Sequence, residues 1–183
     1  EKDDAAKLVT LMDIVAGNTC VLVDRDESNA KRRVIYGRAG EYRIKKYGIE
    51  YRVLSNFWLK GYVLWSMATA LLRNAVGIYR VGLADELISK FDIKKVRDAI
   101  NNNDKHLALE NFKILAAFIK EKNITCSSGL ATYNIDKVTD WLSTSEPVSY
   151  MKIGDTKEIL AGWRKKYTDG ANGFESFIDT VKL

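Results

Sequence analysis

The chain has 183 residues, of which 46% are hydrophobic and 29% are charged, and its formal net charge is +5. These fractions are typical of a globular protein and exclude a disordered or low-complexity chain. The longest uncharged run in the central apolar stretch, Gly61 to Leu72, is shorter than the roughly 20 apolar residues that cross a bilayer, so no membrane span is predicted.

The few cysteines and the single histidine exclude several kinds of site. Cys20 and Cys126 are too few for a disulfide framework or a thiolate metal site, and we interpret them as buried free thiols. His106 is the only histidine, which excludes multi-histidine metal sites and leaves little basis for a Ser-His-Asp or Cys-His arrangement. We therefore predict no metal, no cofactor and no catalytic residue.

The first 54 residues are predicted to form a helix followed by a small sheet. Apolar residues at helical spacing predict a helix over residues 3–16 that ends at Gly17. Short β-branched or alternating runs follow, and they predict an antiparallel meander of three or four strands. The runs are residues 19–23, 33–36, 42–46 and 49–54. The side chains expected to face inward are Tyr42, Ile44, Tyr51 and Val53, and those expected to face water are Arg43, Lys45 and Arg52.

The stretch from Ser55 to Asn74 predicts a long buried helix around which the chain is organised. Ser55 can cap it, and Lys60 is the only charged residue between Phe57 and Leu72. Little polar surface remains on such a helix. Other elements must therefore cover it on several sides.

Residues 75–183 are predicted to be helical. The segment VGIYRVG at residues 76–82 fits either a helix break or an extended connection. Helices are expected at residues 83–91, after Asp92 up to the asparagines at 101–103, and from Asp104 onward, with shorter ones after Asn134, after Asp155 and over residues 174–181. The fold class that follows is α+β, a mainly helical single domain over residues 1–183, with a basic meander in residues 1–54 and a helical core in residues 55–183.

Positive charge is concentrated in the predicted meander. Residues 31–52 contain eight basic and two acidic side chains, a net charge of +6 in 22 residues. Lys and Arg attract phosphate groups and exposed tyrosine rings can stack on unpaired bases, so we predict a non-enzymatic protein that binds RNA or single-stranded DNA. The predicted contact residues are Arg33, Arg38, Arg43, Lys45, Lys46, Arg52, Tyr42 and Tyr47. The competing interpretation is that alternating strands simply expose their charges to water.

Two alternatives to nucleic-acid binding stay open. The hydrophobic run ending in Asp24-x-Asp26 resembles the first motif of haloacid-dehalogenase-like phosphatases, with weaker echoes of later motifs at residues 124–129 and 153–155. That resemblance implies a nucleophilic Asp24 and an acid/base Asp26 beside magnesium. The chain departs from the pattern, because Arg25 and Glu27 replace the family's usual hydrophobic residue and glycine.

The second alternative is a protein-interaction or assembly module. Four tryptophans, nine tyrosines and six phenylalanines could supply an aromatic surface for self-association. A basic protein that both self-associates and coats nucleic acid resembles a viral or phage nucleocapsid-type protein in general character. We accordingly expect a cytoplasmic or virion-associated location and a possible homo-oligomer.

Overall fold

The computed structural model describes residues 2–24, 26–60 and 62–124 of the chain. Its helices and strands, in chain order, are α1 (Lys2–Met12), a π-helical turn (Asp13–Gly17), α2 (Asn18–Val23), α3 (Asn29–Ile35), β1 (Tyr42–Lys45), β2 (Gly48–Tyr51), a 3-10 helix (Asn56–Lys60), α4 (Tyr62–Arg80), α5 (Ala84–Ser89), α6 (Ile93–Asn102) and α7 (Lys105–Glu121). The predicted α+β class, mainly helical with a small antiparallel sheet, is confirmed. The helices predicted after Asn134, after Asp155 and over residues 174–181 lie outside the described residues, as does Cys126.

The first helix does not stop at Gly17, where the sequence predicts its end. The π-helical turn carries the chain directly from α1 into α2, and residues 11–21 are all buried. The strand predicted at residues 19–23 is therefore wrong, because this β-branched run is helix α2, packed between α6 and α7. Tertiary burial outweighs the weak intrinsic preference of these residues for strands. Asn18 fixes the packing, since its side-chain amide donates to the Ala108 carbonyl of α7 at 2.9 Å.

The predicted meander is only a two-stranded hairpin in the described residues. Tyr42 pairs with Tyr51 and Ile44 pairs with Ile49, in antiparallel register. The strand predicted at residues 33–36 is wrong, because those residues belong to α3 and the turn that follows it. Side-chain directions are confirmed for Val53, which is fully buried, but not for Ile44, which is 55% exposed. Ile44 lies one residue before the end of β1, next to the exposed turn at residues 46–47.

Helix α4 is the long central helix that the sequence predicts. Ser55 accepts a hydrogen bond from the Phe57 backbone N–H at 3.2 Å, and a single 3-10 turn leads into the α-helix. The helix continues through Gly77 to Arg80, so most of residues 76–82 are helical and do not form an extended connection. Gly82 follows with a φ of +76°, a left-handed conformation that glycine adopts without strain.

Helices α6 and α7 confirm the predicted caps. The Asp92 carboxylate accepts from the backbone N–H groups of Lys94 and Lys95, and Asp104 accepts from Leu107 at 3.0 Å. Asn103 has a φ of 54° and ends α6 in the left-handed conformation. These local signals correctly predict where α6 begins and ends and where α7 begins.

The hydrophobic core joins the N-terminal helices to α4, α6 and α7. Its members include Leu11, Val15, Phe57, Met67, Ile78, Ile100, Phe112 and Leu115. Within the described residues, the helical stretch Asp3–Val23 is the one segment long and apolar enough to cross a membrane by length and composition. Buried core helices pass that test as well, and 72% of its most apolar window is covered by the rest of the protein.

Candidate functional site

A pocket of about 340 Å³ opens between the end of β2 and helix α4. Aromatic and aliphatic side chains from the 3-10 helix and α4 form one wall, and polar side chains of β2 and its neighbours form the other. The lining residues are Tyr36, Glu50, Tyr51, Arg52, Leu54, Trp58, Trp65, Ala68, Thr69 and Leu72. Apolar walls with a few converging polar groups are the usual composition of a small-molecule site.

Arg52 is the central polar residue of the pocket. Its Nε donates to the Tyr36 hydroxyl at 3.1 Å, and its guanidinium carbon lies 4.4 Å from the centre of the Tyr36 ring. Two carboxylates flank the same group, with Glu41 3.1 Å from the Nη1 atom and Glu50 3.5 Å from Nε. In the described part of the chain, these contacts fall on Nε and Nη1. The Nη2 group makes no such contact with the described residues.

Glu41 connects Arg52 to the loop after α3. While its Oε1 faces Arg52, its Oε2 accepts from the backbone N–H groups of Gly37 at 2.6 Å and Arg38 at 3.1 Å. Gly37 has a φ of +79°, so this close turn favours glycine. Loop and strand are tied together by one carboxylate, which holds the guanidinium in place before any ligand arrives.

Neighbouring groups favour the charged forms of Arg52 and Glu50. The hydrogen bond to Tyr36, together with Glu41 and Glu50, raises the pKa of Arg52. The hydrogen bond from Lys45, whose Nζ lies 3.0 Å from Glu50 Oε2, lowers the pKa of Glu50. Glu50 therefore stays ionised at neutral pH and acts as a hydrogen-bond acceptor and negative charge, not as a proton donor.

A second polar cluster lies beneath the hairpin, on the opposite face of β2. The Tyr51 hydroxyl donates to Oδ1 of Asp13 at 2.8 Å, and Arg97 of α6 places its Nε 3.6 Å from Oδ2. Asp13 is fully buried. Burial raises the pKa of Asp13 to about 6, although its contacts with Tyr51, Gly40 and Arg97 lower it.

The residues of the predicted phosphatase motif form a closed structural network. Asp24 is buried and accepts hydrogen bonds from the Ser55 hydroxyl, the Asn29 side-chain amide and the Asp26 backbone N–H. Its oxygens are occupied by these partners, so Asp24 is poorly placed for a nucleophile. The supporting strand is absent because residues 18–23 are helical, and the two later motif segments lie almost entirely outside the described residues.

The predicted nucleic-acid-binding residues differ in burial and in pairing. Arg33 is buried and donates to the Ile100 carbonyl at 2.5 Å, and burial lowers its pKa. Lys45 and Arg52 are each within ion-pair distance of Glu50. The others differ in exposure: Arg38, Arg43, Lys46 and Tyr47 are exposed, and Tyr42 is half-buried. Glu41 and Glu50 therefore neutralise part of the positive charge of residues 31–52.

Comparison with known families decides the class of protein. The model of the phage phiEco32-like COOH.NH2 ligase-type 2 family matches residues 3–123, about two thirds of the chain. The chain belongs to that family. Neither the curated proteins nor the solved structures include a match. Apart from Lys2 at the start of α1, the matched interval contains every helix and strand described above, together with both polar clusters.

The ligase family overturns the prediction of a non-enzymatic nucleic-acid-binding protein. The prediction failed because it summed the charges along residues 31–52 without pairing them in space. Both acidic residues of that interval, Glu41 and Glu50, contact Arg52. The phosphatase and assembly alternatives are likewise replaced by the ligase family. The expectation of a phage-related protein agrees with the phage origin of this family.

Sequence reasoning missed the acidic and aromatic members of the pocket. Glu50 was counted only as an offset to the positive charge, and Trp58 and Trp65 were assigned to the core. One signal was available: Glu50 and Arg52 are two residues apart on an extended segment, so their side chains share a face. A charged pair on one face, directly before an aromatic helix, is a better indication of a site than the total charge.

Proposed function

We propose that this chain provides a substrate site of an enzyme that joins a carboxylate to an amine, and that the site is the pocket between β2 and α4. The observation that carries the proposal is the presence of Arg52 and the ionised Glu50 at this pocket, within the interval that matches the ligase family. Arg52 offers a planar donor group to a carboxylate, and Glu50 offers an acceptor to an ammonium group.

The chemistry requires an activating co-reactant, because a carboxylate and an amine do not condense spontaneously in water. We infer a nucleoside triphosphate: a substrate carboxylate oxygen displaces the nucleoside diphosphate from the terminal phosphoryl group and forms an acyl phosphate. The amine nitrogen then attacks the carbonyl carbon, the bond to phosphate breaks, and the nitrogen loses its proton to solvent. Arg52 would position the carboxylate, and the apolar wall would exclude water from the acyl group.

Arg52→Lys tests this proposal with least disturbance to the net charge. Lysine keeps the cation but loses the fork that contacts Glu41 and Tyr36, so we expect kcat/KM to fall by about 10- to 100-fold, corresponding to one or two charge-assisted hydrogen bonds. Release of nucleoside diphosphate is measured with the full chain over a panel of amino acids offered as both acid and amine.

The matched control is Arg43→Lys, because Arg43 lies on the neighbouring strand and is exposed. Its activity should equal that of the unaltered protein. Release of nucleoside diphosphate that needs both an acid and an amine, and that falls only in Arg52→Lys, supports the proposal. Equal activity of the two variants would place the reaction elsewhere in the chain.

A further inference from the structure

Asp13 occupies an unusual position for a carboxylate. It begins the π-helical turn between α1 and α2, and it is fully buried together with the other four residues of that turn. Single π-helical turns inside longer helices cost stability and occur frequently at functional sites. A buried carboxylate at such a turn requires a physical explanation.

Only one of the two carboxylate oxygens of Asp13 accepts a hydrogen bond of ordinary length from the described residues. Its Oδ1 accepts from the Tyr51 hydroxyl, whereas its Oδ2 makes no hydrogen bond of ordinary length with any described residue. The nearest cation is Arg97, whose Nε is buried, lies 3.6 Å from Oδ2 and also makes no such bond. Tyr51 is therefore the strong partner of this carboxylate, and Arg97 is a looser one.

The space around the Tyr51 hydroxyl is set by Gly17, at the other end of the same turn. A Cβ atom at position 17 would lie 2.7 Å from that hydroxyl and 2.9 Å from the Cδ1 atom of Ile100. Only the absence of a side chain lets the phenol reach Asp13. The turn thus supplies both the acceptor and the opening for one tyrosine.

Tyr51 stands between the two polar residues of the pocket. Glu50 and Arg52 precede and follow it, and their contacts lie on the other face of the segment from Asp13. A shift of Tyr51 would move both neighbours, because the three share one short backbone segment that ends the hairpin. The buried carboxylate is therefore mechanically linked to the candidate site.

We propose that Asp13 is a positioning residue, whose carboxylate holds the Tyr51 hydroxyl and thereby sets how Glu50 and Arg52 are presented to the pocket. The inference rests on the proposed function only in assigning a use to that pocket. The linkage itself is a property of the fold.

Protonation of Asp13 should loosen the linkage. Its pKa is raised to about 6 by burial, so the carboxylate changes charge near neutral pH. The groups that face it are Tyr51 from β2, Arg97 from α6 and the Gly40 amide, and the pKa of Tyr51 is far too high for it to titrate in this range. Farther out, Cys20 and Arg33 interact with Tyr51, and burial raises the pKa of the Cys20 thiol above this range. A hydrogen bond to a neutral carboxyl is weaker than one to a carboxylate.

The test follows the Arg52 Nε–H signal by ¹⁵N NMR in the full chain between pH 5 and 8, and it needs no substrate. We expect this signal to move with a midpoint near pH 6 in the unaltered protein and to stay constant in Asp13→Asn. Tyr51→Phe removes only the hydroxyl and should give the same flat response, which covers the case in which Asp13→Asn does not fold. Asp98→Asn is the control, because Asp98 pairs with Lys94 on the solvent side of α6 and should leave the midpoint unchanged.

Turnover provides a second readout. If turnover requires the deprotonated form of Asp13, kcat/KM should fall about tenfold from pH 7.5 to pH 5, and this pH dependence should be absent in Asp13→Asn. An NMR midpoint that depends on Asp13, with no turnover on any substrate pair, supports the positioning role and rejects the proposed function. A flat Arg52 signal in the unaltered protein, or a midpoint that persists in both Asp13→Asn and Tyr51→Phe, overturns the positioning role.

Discussion

Two helical regions of this protein are helical for different reasons. Helices α6 and α7 carry their own signals: an aspartate caps each start, Asn103 ends α6, and each helix has one buried face and one exposed face. The segment 13–23 has none of these signals, contains a glycine and several β-branched residues, and is buried on nearly every side. The first region shows that local hydrogen bonds can specify a helix, and the second that burial can impose one.

The largest expected difference concerns the pH dependence of stability in the buried segment. The pKa of Asp13 is raised from 3.8 to about 6 in the folded protein, so the folded state binds this proton more tightly than the unfolded state. Its contribution to stability is complete below about pH 4 and is lost as the pH rises through 6. The loss amounts to about 3 kcal/mol.

Urea unfolding at several pH values measures this contribution. The free energy of unfolding of Asp13→Asn, relative to the unaltered protein, should rise by about that amount between pH 4 and pH 7. A variant in α6, Asp98→Asn, should follow the unaltered protein over the same range, because Asp98 is partly exposed and pairs at the surface. A constant difference between Asp13→Asn and the unaltered protein would show that Asp13 does not titrate in this window.

A smaller difference is expected between two glycines inside helical segments. Gly17→Ala places a Cβ atom against Tyr51 and Ile100 and should destabilise the protein by about 1–3 kcal/mol. Gly77→Ala in α4 meets nothing within 4 Å and should stabilise it by about 0.5–1 kcal/mol, since alanine favours the helix. Thermal and urea unfolding of the two variants measures both signs. Equal effects would mean that the buried turn is not tightly packed around position 17.

The smallest expected effect is that of a cap in the locally specified region. Asp104→Ala removes the acceptor for the Leu107 N–H at the start of α7 and should cost about 1 kcal/mol. Asp104→Asn retains an acceptor and should restore most of that stability, as urea unfolding would show. Without such a loss, α7 would be held by its packing, as the segment 13–23 is, and the contrast between the regions would disappear.

Local rules predicted the parts of the fold that depend on neighbouring residues. The caps at Asp92 and Asp104, the two strands around Tyr42 and Tyr51 and the central helix α4 follow from side-chain chemistry within one or two turns. Rules of the same kind misassigned residues 19–23 and 33–36 as strands. Residues 19–23 form helix because they are packed between α6 and α7. At residues 33–36 only Arg33 is buried, where it donates to the Ile100 carbonyl, while Val34 and Ile35 are exposed in α3.

The candidate site was only partly accessible to such reasoning. The sequence predicts Arg52 as a nucleic-acid contact but not its pairing with Glu41 and Glu50, because that pairing requires the loop at Gly37 to fold back toward β2. Asp13 lies within the helix predicted over residues 3–16 and carries no site signal there. Nothing in the sequence indicates that Tyr51, 38 positions away, donates a hydrogen bond to it.

The sequence by itself determined the fold class, the start and end of α6, the start of α7 and the central helix, because apolar spacing and capping act over a few residues. Tertiary structure alone decided which charges meet. It converted a basic stretch into an Arg52 cluster balanced by two glutamates, and it placed the buried Asp13 behind the same strand. The physical reason is that electrostatic energy depends on distance in space and on burial, and neither can be obtained from a count of charges along the chain.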